Sequence, residues 1–442
     1  MTAKVSRPGP QEVRPDYVPV EAYISRDWLE LEREKLWPKV WQWVCREEEI
    51  PNAGDFYTYD ILDDSISVVR RQDGAIGAYF NACPHRGRRL TEGCGRQGRF
   101  HCKFHGWQFD LHGAPVEIVD RDDWASAPIQ DREVTLAPVK VASWGGWVFI
   151  NMDPDSESLE EFLAPAKAML DPFEFERMRY VWRKQIKLPC NWKTGLEAFD
   201  EGYHVQTTHR QLLAYHDDVT YSKAYGKHGM FGFAPTALFG LPAPRISDQK
   251  GDLRKGLRDF NQNIWDTLKA TTTQEMLAAG ARLMELPEDA PIMDVYVAFA
   301  TFHREEVAKR GISWPPVTPE QQMAAGTDWH IFPNMVFLHQ PTNLLGYRAR
   351  PDGVDPNRCI FEVYSLERFP DGVEPPKMEV EAAESWRDVD WGLILEQDFQ
   401  NMEEVQRGMR VRSFIAARTN PVKERAISNF HETLHHYINE KN

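Results

Sequence analysis

A chain of 442 residues can form two or three domains with sizeable cores, and its 27% charged and 42% hydrophobic residues are ordinary for a globular protein. The formal net charge of -15 argues against a nucleic-acid partner. No apolar run approaches the roughly 20 residues of a membrane span, and Met1 to Pro19 is polar and proline-broken without a hydrophobic signal core, so a cytoplasmic protein with no membrane role is expected.

After that start, which reads as disordered, residues 25–36 have the period of a short helix, with Ser25 as cap and Trp28, Leu29 and Leu36 as apolar positions. From about Val44 the texture changes to short strands separated by Gly and Asp turns. Examples are residues 65–70, 75–81 and 139–150, the last holding Trp144, Trp147 and Phe149 around Gly145 and Gly146. These predict a small all-β domain over 44–153, preceded by a helical segment, 1–43, that packs with the later domain. A polar linker from Asp153 to Ser158 opens the second domain, 154–442. There the pattern predicts a strand over 179–188, helices over 191–213 and 252–286, strands between 328 and 369 broken by Pro-Asp-Gly turns, and a long helix over 379–409. Strands and helices segregated in this way argue for α+β, an antiparallel sheet covered by helices.

The all-β block carries Cys83-X-His85 and Cys102-X-X-His105, with sixteen residues between the pairs. Thiolate is the usual ligand of iron-sulfur clusters, and two imidazoles on one of the irons raise the reduction potential by hundreds of millivolts; this is the Rieske [2Fe-2S] pattern. A Cys2His2 set also suits a structural zinc site, the competing reading. Each half here holds one Cys and one His, as a cluster with one ligand type per iron allows, and Pro84, Gly87 and Gly106 suit two tight ligand loops. Cys94 lies inside the segment but breaks the paired spacing. Cys45, Cys190 and Cys359 stand singly and read as plain thiols.

In the second domain, His204 and His209 follow Glu197, Asp200 and Glu201. Two His and one carboxylate on one face of an iron leave open positions for O2 and substrate. On a regular helix residues five apart point about 140° from each other, so the helix must loosen or end near Thr207 and Thr208 for both rings to reach one metal. Along the last helix, Trp391, Ile394, Leu395, Phe399, Met402, Val405 and Met409 form an apolar stripe, and Asp398 falls near its middle. A buried carboxylate is costly unless paired or metal-bound, which selects Asp398 as third ligand, with Asp388 as rival and an Arg-paired core carboxylate as the bland reading. His330 and His339 flank Phe332-Pro333-Asn334 and read as core or turn residues, with an approach to the active site as the alternative; His431 and His435, one turn apart, read as a solvated terminal helix, with metal binding as the alternative; His101 and His112 read as structural.

With both constellations in hand, the sequence resembles the oxygenase α subunits of Rieske non-haem iron oxygenases, the ring-hydroxylating dioxygenase group, over nearly its whole length. The matching motifs are Cys-Pro-His-Arg-Gly at 83–87, Cys-X-X-His-Gly-Trp at 102–107, Asn-Trp-Lys at 191–193, Glu-Gly-Tyr-His-X4-His at 201–209, Phe-Pro-Asn at 332–334 and Gln-Asp at 397–398. The resemblance implies a Rieske domain joined to a helix-grip catalytic domain. It implies a [2Fe-2S] cluster at Cys83, His85, Cys102 and His105, and Fe(2+) at His204, His209 and Asp398. It also implies a homotrimer, with or without a small β subunit, in which an acid three residues before the first iron-ligand His links the cluster of one subunit to the iron of the next. That position is Glu201, although Asp is common there and Asp200, which could also face His204 by helical angle, competes. The implied activity is that of a terminal oxygenase that takes electrons from NAD(P)H through a reductase or ferredoxin and uses O2 to hydroxylate an aromatic or similarly apolar ring. The alternative is a monooxygenase performing oxidative demethylation or acting on a quaternary amine.

Charge adds one expectation. Between Cys83 and His105 stand Arg86, Arg88, Arg89, Arg96, Arg99 and Lys103 against the single acid Glu92. Such a collar can dock an acidic redox partner or brace the ligand loops.

Overall fold

The computed structural model describes residues 12–439. They fall into two compact units, one running Leu31–Phe162, the other combining the segment ending at Glu30 with the chain from Leu163 onward.

The Leu31–Phe162 unit is built from three small antiparallel sheets. In one, Ile76–Phe80, Asp64–Arg70, Asp55–Ile61 and Cys94–Arg96 lie side by side; in another, Lys140–Trp144 and Trp147–Asn151 form a hairpin that pairs with Gln42–Arg46. The third, Phe100–His101, Gln108–Phe109 and Pro115–Glu117, is short. The expected strand over 139–150 is thus two strands, turned at Gly145 and Gly146. A core of Tyr79, Leu90, Phe100, Trp107, Phe109 and Leu136 encloses Cys83 and Cys102.

The larger unit is organised on an eight-stranded sheet. Its order is Thr220–Tyr225, His228–Phe233, Asp328–Ile331, Met335–His339, Asn343–Pro351, Cys359–Arg368, Met178–Leu188 and Glu381–Ala383. Every pairing is antiparallel except that of the last short strand, which runs parallel to Met178–Leu188. The helix Trp192–Glu197 packs on Asn343–Pro351 and Cys359–Arg368, and the helix Arg425–Asn439 on the two strands at the other edge. There Gly229 lies so close to Ala426 that a Cβ would collide with its backbone, which lets helix and sheet approach. Between His228–Phe233 and Asp328–Ile331 the chain makes an excursion of four helices, Leu253–Thr267, Gln274–Arg282, Ile292–Lys309 and Pro319–Ala325. Their starts are set locally: Asp252, Thr273 and Thr318 each accept a hydrogen bond from a first-turn amide.

Four expectations change. The start of the described chain is not loose, because Val18–Pro19 pairs with Ala416–Ala417 and Val18 and Val20 are fully buried; residues 1–11 lie outside the described residues. The helix expected over 252–286 breaks at residues 268–273, where Lys269 and Thr271 take left-handed dihedrals. The helix expected over 379–409 begins only at Leu393. Ahead of it, Glu381–Ala383 joins the sheet, and the Trp386 and Trp391 indoles donate to Glu403 and to the Trp386 carbonyl, folding this segment back on the helix instead of extending it. The helix expected over 191–213 is interrupted, with direct consequences for where His204 and His209 point.

Candidate active site

The two cysteine loops are near copies of one another. The Cys83 amide donates to the Arg88 carbonyl and the Cys102 amide to the Trp107 carbonyl, five residues on in each case; Gly87 and Gly106 return the reverse bond to the cysteine carbonyl from four residues on. Both glycines have left-handed φ, +76° and +78°, where a side chain is strained. The loops bring the His85 and His105 rings to 4.6 Å between centroids, with His85 stacked on Trp107 at 4.8 Å. Burial, then the adjacent Cys102 thiol, pushes the Cys83 thiol up to about 11, which places the two sulfurs side by side. His85 Nδ1 is buried and makes no hydrogen bond to any described residue. Paired thiols facing paired imidazoles, one with an orphaned buried lone pair, fit a cluster that takes two thiolates on one iron and two imidazoles on the other. Cys94 is exposed in a strand edge, outside this arrangement.

Around the collar, Arg89 pairs with Asp60 at 2.7 Å, Arg96 with Asp55 at 2.6 Å, and Arg86 stacks over Phe104. Arg88, Arg99 and Lys103 are exposed and form no ion pair with a described residue. Bracing and free positive charge therefore divide the set between them.

In the larger unit, the Asn191 side chain caps Trp192–Glu197. The helix ends there, the chain turns through residues 198–203, and a single turn, Val205–Thr208, follows. His204 precedes that turn and His209 leaves it with φ -110° and ψ 44°. The break resolves the five-residue spacing, and the ring centroids come to 5.0 Å. Asp398, 4% exposed on Leu393–Met409, reaches His209 Nε2 at 2.9 Å and His204 Nε2 at 3.6 Å. Ligand atoms of these three residues lie within 4.8 Å of one another. Asp388 is exposed and outside the group.

The far nitrogen of each imidazole is also held. His204 Nδ1 meets Glu201 Oε1 at 2.6 Å, and His209 Nδ1 meets Gln397 Oε1 at 2.9 Å. Gln397 is oriented in turn by Gln211 Nε2, which donates to the same oxygen at 2.8 Å. An acceptor on each Nδ1 puts the proton there and leaves both Nε2 lone pairs for a metal. Burial opposes a positive charge on His204, but Glu201 and Asp398 outweigh it and push the imidazole up to about 9; the same field attracts a cation. Gln397 was read from the sequence only as part of a motif, since a neutral amide beside Asp398 has no periodic signature.

Asp200 lies elsewhere. Fully buried, it meets His330 Nδ1 at 2.9 Å, while His330 Nε2 donates to the Pro333 carbonyl at 3.0 Å. Burial works against a charge on His330, and Asp200 overcomes it. Beside this pair, burial drives the Glu197 carboxyl up to about 8, where it accepts from the Tyr23 hydroxyl at 2.9 Å and contacts His431 Nε2 at 2.6 Å. His431 is fully buried, and burial takes it well below its ordinary pKa, so a neutral Glu197 acid donates to a neutral imidazole. The helix of His431 and His435 is therefore a core helix, not a solvated one; its partner Glu197 is 234 residues away in sequence, beyond any local pattern.

Against His204, His209 and Asp398 opens a cavity of about 270 Å³. Its walls include Phe199, Leu212, Phe231, Phe233, Phe260 and Ile264, with no lysine or arginine among the described lining residues. Tyr347, stacked on Phe199 at 3.9 Å, keeps its phenol protonated, chiefly through burial. The excursion over 233–325 supplies much of this wall, as expected of a long insertion near a pocket.

Comparison with known proteins agrees with this division. The family described as "Ring hydroxylating alpha subunit (catalytic domain)" matches residues 175–440, and that described as "Rieske [2Fe-2S] domain" matches residues 40–128. The chain is 32% identical over 195 residues to the carnitine monooxygenase oxygenase subunit of Escherichia coli (strain K12), covering 43% of this chain and 52% of that protein. It is 29% identical over 259 residues to the biphenyl 2,3-dioxygenase subunit alpha of Rhodococcus jostii (strain RHA1), covering 51% and 54%. The chain thus spans about half the length of the curated relatives it matches. A crystal structure of a quaternary ammonium Rieske monooxygenase in complex with L-carnitine superimposes with a TM-score of 0.65 over 97% of this chain and 99% of the other, at 18% identity, a likeness of fold. With a catalytic-domain match across more than half of its length, a Rieske domain ahead of it and donor sets suited to a [2Fe-2S] cluster and one mononuclear iron, the chain belongs to the ring-hydroxylating alpha subunit family.

Proposed function

We propose that the chain is a terminal oxygenase that receives electrons originating in NAD(P)H and uses O2 to oxidise an aromatic or similarly apolar ring compound. The observation that carries this reading is the hydrocarbon-walled cavity that opens on the His204, His209 and Asp398 donor set. Iron held there supplies the activation of O2. The chain's own residues fix the geometry: Glu201 and Gln397 orient the two imidazoles, Asp398 supplies the anionic ligand, and the aromatic wall excludes water.

Cys83, His85, Cys102 and His105 hold the electron-relaying cluster, and Glu201, not Asp200, is the acid that serves the relay. Support for the choice comes from the contacts: Glu201 touches a ligand imidazole, whereas Asp200 is committed to His330. A ferredoxin or NAD(P)H-dependent reductase is the electron donor, met by Arg88, Arg99 and Lys103, and the subunit assembles as a homotrimer. The division into a Rieske domain over 44–153 and a catalytic domain over 154–442 is kept in this reading, with only the part of 1–43 that ends at Glu30 joined to the latter and residues 31–43 belonging with the Rieske domain.

The absence of lysine and arginine from the described lining favours a neutral ring over a zwitterion bearing a carboxylate. Oxidation of a quaternary amine is the second reading, favoured by the aromatic faces of Phe231, Phe233 and Phe260, which can meet a cation. Incubation with a generic reductase, labelled O2 and panels of ring compounds and quaternary amines tests both. Labelled ring product is expected, and label only in products of the amines would overturn the leading reading.

A further inference from the structure

One polar group in the cavity has its protonation state fixed by the backbone. His216 lines the cavity, and its Nδ1 lies 2.8 Å from the carbonyl of Asp217, which can only accept. The proton is therefore on Nδ1, and Nε2 carries a lone pair that meets no described residue. Burial lowers the pKa of the ring, in keeping with a neutral imidazole.

The ring is also held in place. Phe239 stacks on it at 5.4 Å, and Phe233 and Phe260 meet it edge-on at 5.5 Å. The backbone on either side is pinned, since the Asp217 amide donates to the Leu238 carbonyl at 2.9 Å and the Gly240 amide to the Tyr215 carbonyl at 2.6 Å. Tyr296, from the helix Ile292–Lys309, fastens the opposite strand by bonding both the amide and the carbonyl of Phe239. A second cavity residue, Asn261, repeats the pattern: its Nδ2 donates 2.8 Å to the Leu257 carbonyl one turn back, leaving its Oδ1 without a described partner. Hydroxyls such as those of Thr271, Thr272 and Tyr347 can donate or accept, but His216 Nε2 can only accept.

We infer that His216 is a specificity-determining residue whose Nε2 accepts a hydrogen bond from the substrate, and that the substrate class is a neutral aromatic ring carrying a donor, such as a ring N–H or a phenolic hydroxyl. The inference rests on the proposed reading of the cavity as the substrate site. A donor that satisfies this lone pair supplies a hydrogen bond that no described protein group makes, whereas an isosteric hydrocarbon leaves it unmet.

Indole and indene share one fused-ring skeleton and differ by the N–H. Their binding to the full-length, metal-loaded chain is measured by anaerobic equilibrium dialysis, in wild type, His216→Phe and His216→Gln. The ratio of indole to indene affinity is expected to fall about tenfold in His216→Phe and to be largely kept in His216→Gln, which retains an acceptor. The cluster's visible spectrum reports that each variant is folded. An unchanged ratio in His216→Phe, with both compounds still bound, overturns the role of His216 alone. If wild type binds neither compound, the reading of the cavity falls as well.

Discussion

His209 presents its Nε2 toward Asp398 because its other nitrogen is held 2.9 Å from the Gln397 carboxamide oxygen, so two consecutive residues of one helix serve one imidazole from opposite sides. Neighbours on a helix point about 100° apart, which here suffices to bracket the ring. Replacing Gln397 by Leu removes the acceptor without adding charge. Such a change is expected to lower affinity for mononuclear iron by about 10–100-fold while leaving the [2Fe-2S] absorbance intact, read by iron titration of the desalted variant.

Glu201 and Asp200 are adjacent in sequence and separate in role, and their variants should differ in kind. Glu201→Gln is expected to fold normally, reduce its cluster normally and lose roughly 10–100-fold in coupled O2 consumption, since it alters the partner of a ligand imidazole. Asp200→Ala leaves His330 buried without its counter-charge, and a loss of about 3 kcal/mol in denaturant stability is expected. A Glu201 variant that keeps full turnover would remove that residue from the relay.

Glu362 sits buried between Arg183 at 2.8 Å and Arg348 at 2.7 Å. Burial raises its pKa, but the two guanidinium groups win and bring it down to about 2. A carboxyl held below its unfolded value of about 4.3 contributes stability that is full above that pH and is lost as the pH falls toward the folded value. Denaturant midpoints should therefore fall between about pH 4.5 and 2. Glu362→Gln should be less stable at neutral pH by about 3 kcal/mol and show a shallower acid decline.

Electron delivery should be salt-sensitive if the free part of the collar docks the donor. The rate of cluster reduction by an acidic ferredoxin is expected to drop steeply as ionic strength rises through about 0.1 M, where the screening length is about 10 Å. Charge reversal at Arg88 and Lys103 should slow it further, while reversal at Arg89, already paired with Asp60, should matter less. A rate indifferent to salt would leave these residues a bracing role only.

Much of the candidate site was legible in the sequence because the metal ligation it is proposed to perform demands particular residue types at short spacing. Cys83 and His85, Cys102 and His105, and His204 and His209 are each within one turn or loop. Asp398 was legible for a different reason, as a carboxylate out of place on an apolar helix face. What escaped depends on contacts between segments distant in the chain. The His431 imidazole was assigned to solvent because its helix near residue 440 carries enough polar residues to suggest exposure, yet Tyr23, Glu197 and the sheet enclose it. The start of Leu393–Met409 was misjudged because Trp391 opens the apolar stripe, whereas its indole donates to the Trp386 carbonyl and the Trp386 indole to Glu403, so this segment folds back ahead of the helix. His216 had no signal at all: its significance lies in an Nδ1 bond to the next backbone carbonyl and in rings from the excursion.

The central claim is that one chain holds two different iron centres, and metal analysis of the purified protein tests it most directly. Iron at about three atoms and acid-labile sulfide at about two per chain, with a Rieske-type EPR signal on reduction, is the predicted result. Colourless protein containing zinc, without iron or sulfide, would contradict it.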